Sequence, residues 1–209
     1  MVQLRILLAA ALALAAGPAA AHDGVTHAGP AETAAHAAPE GAPLPFLGDL
    51  GGAFTLTDQT GAARGQADPR GRPQLLFFGY ANCRSICSVA LPLMGEIARR
   101  ATAEGVDLAP VMITVDPARD TAQTIGPPLA LHHPDFTGLT GTEADLTGVY
   151  DLFQVSHEVV FEDPDAGPVY AHGSFIYLLD PAGEVLTLIP PILSAEQATR
   201  IVLSYTAGG

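Results

Sequence analysis

The chain has 209 residues, 48% of them hydrophobic, which suffices for one sizeable core. Nine cations, every one an arginine, face 22 acidic residues for a formal charge of −13. No basic stripe is available to neutralise phosphates, which argues against nucleic acid and anionic lipid surfaces as partners. The only cysteines, Cys83 and Cys87, exclude a disulfide-stapled scaffold and any four-cysteine zinc or iron–sulfur site.

Residues 1–21 carry a short basic start with Arg5, an apolar run from Ile6 to Ala16, and a small-residue stretch from Gly17 to Ala21. These are the three parts of a secretory signal peptide. The run is 11 residues long, against the ~20 needed to span a bilayer, so cleavage after Ala21 is expected, with an uncleaved membrane anchor as the alternative. The product, starting at His22, is expected in the periplasm. There a cysteine pair meets an oxidising environment, and functional thiols need a reductant. Residues 22–45 are rich in Ala, Pro and Gly and contain His22, His27 and His36. They read as a disordered linker, with a loose metal-capturing tail as the alternative.

Residues 46–209 form the folded domain. Phe54 to Thr57 predicts a short strand, and the turn at 58–61 ends it. Leu75 to Phe78 is a continuous apolar run, as in a central strand buried on both faces. A helix follows, with Ile86, Val89, Ala90, Leu93, Met94, Ile97 and Ala98 on its inner face, ending by Gly105. Val111 to Val115 is the next buried strand, so the three elements make a βαβ unit with parallel strands. Helices are predicted over 121–131 and 142–153, the second opened by a capping box of Thr142 and Asp145. His132 and His133 fall in the exposed loop between them. Residues 174–179 and 184–189 form a hairpin, and a final helix starts at Ser194, capped by Gln197, with Ala198, Ile201, Val202 and Tyr205 inward. This order points to an α/β protein with a thioredoxin-like fold, a central mixed β-sheet flanked by helices. A flavodoxin-like sheet is the rival, and the antiparallel hairpin argues against it.

Cys83 and Cys87 follow the first central strand, where sites form in open α/β sheets. Helix N-terminal N–H groups there favour a thiolate and lower the cysteine pKa. If the segment is helical, the i, i+4 spacing puts both sulfurs on one face, and two convergent thiolates suit Cu(I) or another soft cation. A redox dithiol more often has C-x-x-C spacing, and two buried, inert cysteines are the bland alternative. His172, just before the hairpin, lies in a loop facing the start of the cysteine helix. It would complete a three-coordinate copper site with one open side.

At these residues the chain resembles the Sco/SenC family of copper-binding oxidase assembly proteins. The matching stretches are Gly52 to Asp58, Phe77 to Tyr80 with Cys83 and Cys87, Thr114 to Thr121, Gly138 to Gly141, and His172 to Gly183. The resemblance implies a thioredoxin-like fold, copper held by Cys83, Cys87 and His172, and a role in building the binuclear copper centre of cytochrome c oxidase. Arg84 and Ser88 stand where the family usually has proline after each cysteine. Ala171 and Gly173 stand where it usually has Asp and Ser around the histidine, which removes a carboxylate beside the imidazole.

Asp116, at the end of the second central strand, faces the site. Two roles are open for it: orienting His172 or a residue of a partner, or forming an Asx turn before Pro117 with Asp120 capping the next helix. Glu162, Asp163 and Asp165 read as a mobile acidic loop. The expected function is a periplasmic metallochaperone carrying Cu(I) and Cu(II), without catalytic turnover. Its partners would be the copper-centre subunit of cytochrome c oxidase or a related copper enzyme, and other periplasmic copper carriers or thiol reductants. A thiol–disulfide oxidoreductase using Cys83 and Cys87 is the alternative, although the loop Tyr170 to Phe175 has His172 where such reductases place a cis-proline. A docking or sensor protein reading copper or redox state is a third class.

Overall fold

The structure is a computed structural model that describes residues 47–206 except 82, 84, 85 and 166. The expected signal peptide, His22, His27 and His36, and Arg84 lie outside the described residues.

In chain order the strands and helices are β1 (Thr55–Asp58), β2 (Ala63–Gly65), β3 (Gln74–Gly79), α1 (Cys87–Ala103), β4 (Ala109–Thr114), α2 (Gly126–Ala130), β5 (Thr137–Thr140) and α3 (Glu143–Leu152). They continue with β6 (Glu158–Asp163), β7 (Gly167–Ala171), β8 (Ile176–Leu179), β9 (Val185–Ile189) and α4 (Ala195–Thr206). One sheet has the order β2-β1-β5-β4-β3-β8-β9, and β6 and β7 pair as a separate two-stranded sheet. In the main sheet β3, β4 and β5 run parallel, and the other neighbours are antiparallel. This is the thioredoxin-like α/β arrangement, with the mixed sheet between helices.

The two central strands are buried along their whole length, as their unbroken apolar runs require. Alternation sends Leu75, Phe77 and Met112 to one face, against Ala90, Leu91, Met94 and Ile97 of α1 and Ala198 and Val202 of α4. Leu76, Phe78, Val111 and Ile113 point the other way, against Leu146, Val149 and Tyr150 of α3. Each large side chain so buried contributes about 1.5–3 kcal/mol, and this two-sided core fixes where β3 and β4 end.

Several local expectations change. The helix expected over 121–131 shrinks to Gly126–Ala130, because Pro127 and Pro128 have no N–H for the preceding turn and Thr124 Oγ1 donates to the Arg119 carbonyl at 2.6 Å. Val89 and Tyr205 face solvent, since their positions fall at the edge of each helix's buried stripe. His132 and His133 are half-buried rather than exposed, because α1 approaches their loop closely: a Cβ on Gly95 would lie 2.3 Å from the His132 carbonyl oxygen. Glu162 and Asp163 belong to strand β6, and only Asp165 lies in the turn, where its N–H donates to Asp163 Oδ1 at 2.9 Å. Both expected capping boxes are present: Thr142 with Asp145, and Ser194 with Gln197. Among the described residues no helix is long and apolar enough to cross a membrane.

Candidate metal centre

The end of β3 delivers the cysteines. Gly79 closes the strand, and the Cys83 N–H donates to the Tyr80 carbonyl at 3.1 Å, turning the chain back over the sheet edge. Cys87 then opens α1, 1% exposed, while Cys83 stays half-exposed in the loop ahead of the helix. The sulfurs therefore converge across a turn rather than along one helical face. Gly79 has a specific reason to be glycine, since a Cβ there would stand 3.0 Å from Cys87 Sγ and 2.8 Å from the Phe77 ring.

His172 follows β7 directly and reaches across to the cysteines. Its Nε2 lies 3.5 Å from Cys87 Sγ and 4.0 Å from Cys83 Sγ, and the three donor atoms all lie within 4.8 Å of one another. Metal–ligand bonds of about 2.0–2.3 Å in a trigonal plane put neighbouring donors about 3.8 Å apart, so the sulfur–nitrogen separations already suit one shared ion. The ring's other nitrogen, Nδ1, is 3.0 Å from the Gly173 carbonyl oxygen. That oxygen only accepts, so Nδ1 carries the proton and the Nε2 lone pair faces the sulfurs. Phe77 and Tyr80 wall the imidazole, with ring centroids 5.7 and 5.9 Å away and planes near perpendicular.

The electrostatics depart from the helix-dipole expectation. A hydrogen bond with Cys83 and burial in the core push the Cys87 thiol up, which favours its protonated form. Burial and the neighbouring Cys83 push the Tyr80 phenol up to about 12. A metal held by this thiol would compete with that proton.

Asp116 does not take the role of the missing carboxylate beside the imidazole. It is 1% exposed, pairs with Arg119 Nε, and accepts from Tyr170 Oη at 3.4 Å. Asp120 caps no helix. Its Oδ2 accepts from the Ala81 N–H at 2.9 Å and from Thr114 Oγ1 at 2.8 Å, pinning the loop before Cys83 to the end of β4, and burial raises its pKa. Sequence reasoning missed Phe77 and Tyr80 as the walls of the imidazole. Their signal was an aromatic pair at the end of the strand that leads into Cys83.

Residues 44–207 match the family model described as SCO1/SenC. The chain belongs to the SCO1/SenC family. A relative named "SCO2-like protein" in Rickettsia felis is 38% identical over 138 residues, 66% of this chain and 67% of that one. Among solved structures, copper-bound ScoI of Bradyrhizobium japonicum is 31% identical, with a TM-score of 0.66 over 75% of this chain and 99% of that one. Copper-bound ScoI of Arabidopsis thaliana is 26% identical, with a TM-score of 0.72 over 77% and 99%. These two neighbours are copper-bound, and this chain carries a Cys-Cys-His cluster.

Proposed function

We propose that this chain is a periplasmic copper carrier that holds Cu(I) and Cu(II) between Cys83, Cys87 and His172 and supplies copper to the binuclear centre of cytochrome c oxidase or of a related copper enzyme. In this reading residues 1–21 direct export, 22–45 are a linker and 46–209 carry the cargo. The observation that carries it is the convergence of two sulfurs and an imidazole whose free lone pair is already aimed at them. Two soft thiolates suit Cu(I), and the imidazole extends the site to Cu(II). A three-ligand site leaves a side open, and Cys83 is half-exposed, as transfer to a partner needs. Val89 of α1, Val159, Val160 and Phe161 of β6, and Phe175 after His172 are apolar and exposed, side chains a partner protein could cover.

Copper titration of the reduced protein tests this beside three variants. One copper per chain is expected, with a sulfur-to-copper charge-transfer band for Cu(II). Cys83→Ser or Cys87→Ser should lose Cu(I) binding, while His172→Ala should keep weak two-thiolate Cu(I) binding and lose the Cu(II) band. Stoichiometric Cu(I) uptake by protein whose cysteines are oxidised to a disulfide would exclude the site. Mass spectrometry of the exported protein locates the mature N-terminus, with His22 expected.

One observation favours a second reading. A half-exposed thiol beside a buried one is also the arrangement of an attacking and a resolving cysteine. If His172→Ala binds both copper states like wild type while disulfide reduction depends on both cysteines, the protein is a thiol–disulfide oxidoreductase.

A further inference from the structure

His172 is carried by the least enclosed part of the described fold. Strand β6 is exposed from Glu158 to Glu162, with Val160 60% and Phe161 56% accessible. Among the described residues strands β6 and β7 pair only with each other, and an isolated two-stranded sheet is marginal in water. Of the hairpin's described residues, Tyr170 of β7 is the one packed against the core, and it borders a cavity of about 220 Å³ lined also by Val115, Leu146 and His157. Something besides this single apolar contact must hold the hairpin, and with it the imidazole, against the sheet.

We propose that Arg119, anchored by Asp116, is the positioning residue that bolts the β6–β7 hairpin to the end of β4 and so sets His172 over the cysteines. This rests on the copper-carrier reading and names a further residue for that site.

The guanidinium makes three kinds of contact at once. Its Nε donates to the buried Asp116 carboxylate. Its Nη2 donates to the Pro168 carbonyl of β7 at 2.8 Å. Its Cζ stands over the Tyr80 ring, 5.5 Å from the centroid. Tyr80 in turn packs edge-on against Tyr170 at 5.5 Å and His172 at 5.9 Å, so the same side chain braces the wall of the imidazole. Asp116 is itself fixed, because its N–H donates to Thr114 Oγ1 at 2.9 Å and its Oδ1 takes the Tyr170 hydroxyl. Gly167, at φ +76°, leaves room for the arginine: a Cβ there would lie 3.0 Å from Nη1. The path from the rigid sheet to the ligand is thus Thr114, Asp116, Arg119, Pro168 and then β7 into His172. A charge-assisted hydrogen bond to a backbone carbonyl suits this work, since it fixes the strand rather than one rotamer. Lysine has no planar fork with which to serve the carboxylate, the carbonyl and the aromatic face together.

The test compares Arg119→Met, Arg119→Lys and His172→Ala in the full chain. In apo protein, Arg119→Met should raise hydrogen exchange at the Val169, Tyr170 and Ala171 amides while the β3 and β4 amides stay protected. With copper, it should retain Cu(I) affinity near that of His172→Ala, and Cu(II) affinity should fall about 10–100-fold with a weakened charge-transfer band. Arg119→Lys should fall between Arg119→Met and wild type. Wild-type exchange at β7 together with a wild-type Cu(II) band in Arg119→Met overturns the proposal. If His172→Ala leaves copper binding unchanged, the carrier reading fails, and the exchange data alone then judge whether Arg119 holds the hairpin. If Arg119→Met does not fold, Arg119→Lys, which keeps the charge and loses the planar fork, should show faster β7 exchange in the same direction, and unchanged exchange overturns the proposal.

Discussion

Two buried aspartates grip arginines at opposite ends of the parallel strands. At the start of β3, Asp68 is fully enclosed and takes Arg64 Nη2 at 3.2 Å and Arg72 Nη2 at 3.1 Å, with the Arg70 and Arg72 N–H groups on its other oxygen. At the end of β4, Asp116 is equally buried, but its arginine is a quarter exposed and reaches out to β7. The first network lies among groups that are all inside the main fold. The second joins the main fold to a hairpin whose outer strand faces water. The same chemistry therefore does two things: at Asp68 it holds up the domain, and at Asp116 it places the imidazole beside the two cysteines.

The comparison breaks most sharply at Asp68. Asp68→Ala removes the carboxylate of the buried Arg64 and leaves Arg72 only the looser Asp107 and Asp135 at 3.6 Å, and should cost about 3 kcal/mol of stability, read as a lowered denaturant midpoint, while copper stoichiometry in the remaining folded protein stays at one. A copper defect at full stability would mean that the two networks are not separate in function. Gly79→Ala is next. Its Cβ meets the buried Phe77 ring and Cys87 Sγ, so about 1–3 kcal/mol of destabilisation is expected, together with weaker Cu(I) binding. Wild-type values for both would show that the strand end yields easily.

The proton at Cys87 offers a third measurement. The Cys83 hydrogen bond and burial raise this thiol, so apo protein holds the proton through neutral pH and copper must expel it. Metal affinity then rises with pH, about tenfold per unit for one displaced proton between about pH 6 and 8. A Cu(I) competition titration independent of pH would show that both sulfurs are already thiolates. The smallest effect belongs to the hairpin surface. Phe161→Ser lies on an exposed strand and should change stability by no more than about 0.5 kcal/mol. A larger loss in thermal unfolding would show that the hairpin is part of the cooperative core after all.

Periodicity and turn chemistry were enough to place β3, α1, β4, α3, the β8–β9 hairpin and α4, because each buries a face whose repeat is written in consecutive residues. The β6–β7 hairpin was not legible. Its strands carry acidic residues at Glu158, Glu162 and Asp163 and bury no complete face, so they read as a loop. Strand β5 was missed for another reason: Thr137 to Thr140 is only four residues long and takes its strand character from pairing with β4 and β1.

For the centre itself, local sequence determined the donor types: two thiols four residues apart after a buried strand, and a histidine ahead of a hairpin. Tertiary structure alone decided that Cys83 lies outside the helix, that burial and Cys83 raise the Cys87 thiol, and that Nδ1 of His172 is occupied by the Gly173 carbonyl. It alone decided that Asp116 acts through Arg119 and not on the imidazole. Donor identity is a property of single residues, and strand and helix faces are properties of short windows. Burial, proton affinity and the aim of a lone pair instead depend on groups as far apart in the chain as Cys87 and His172, which only the closed sheet brings within 3.5 Å.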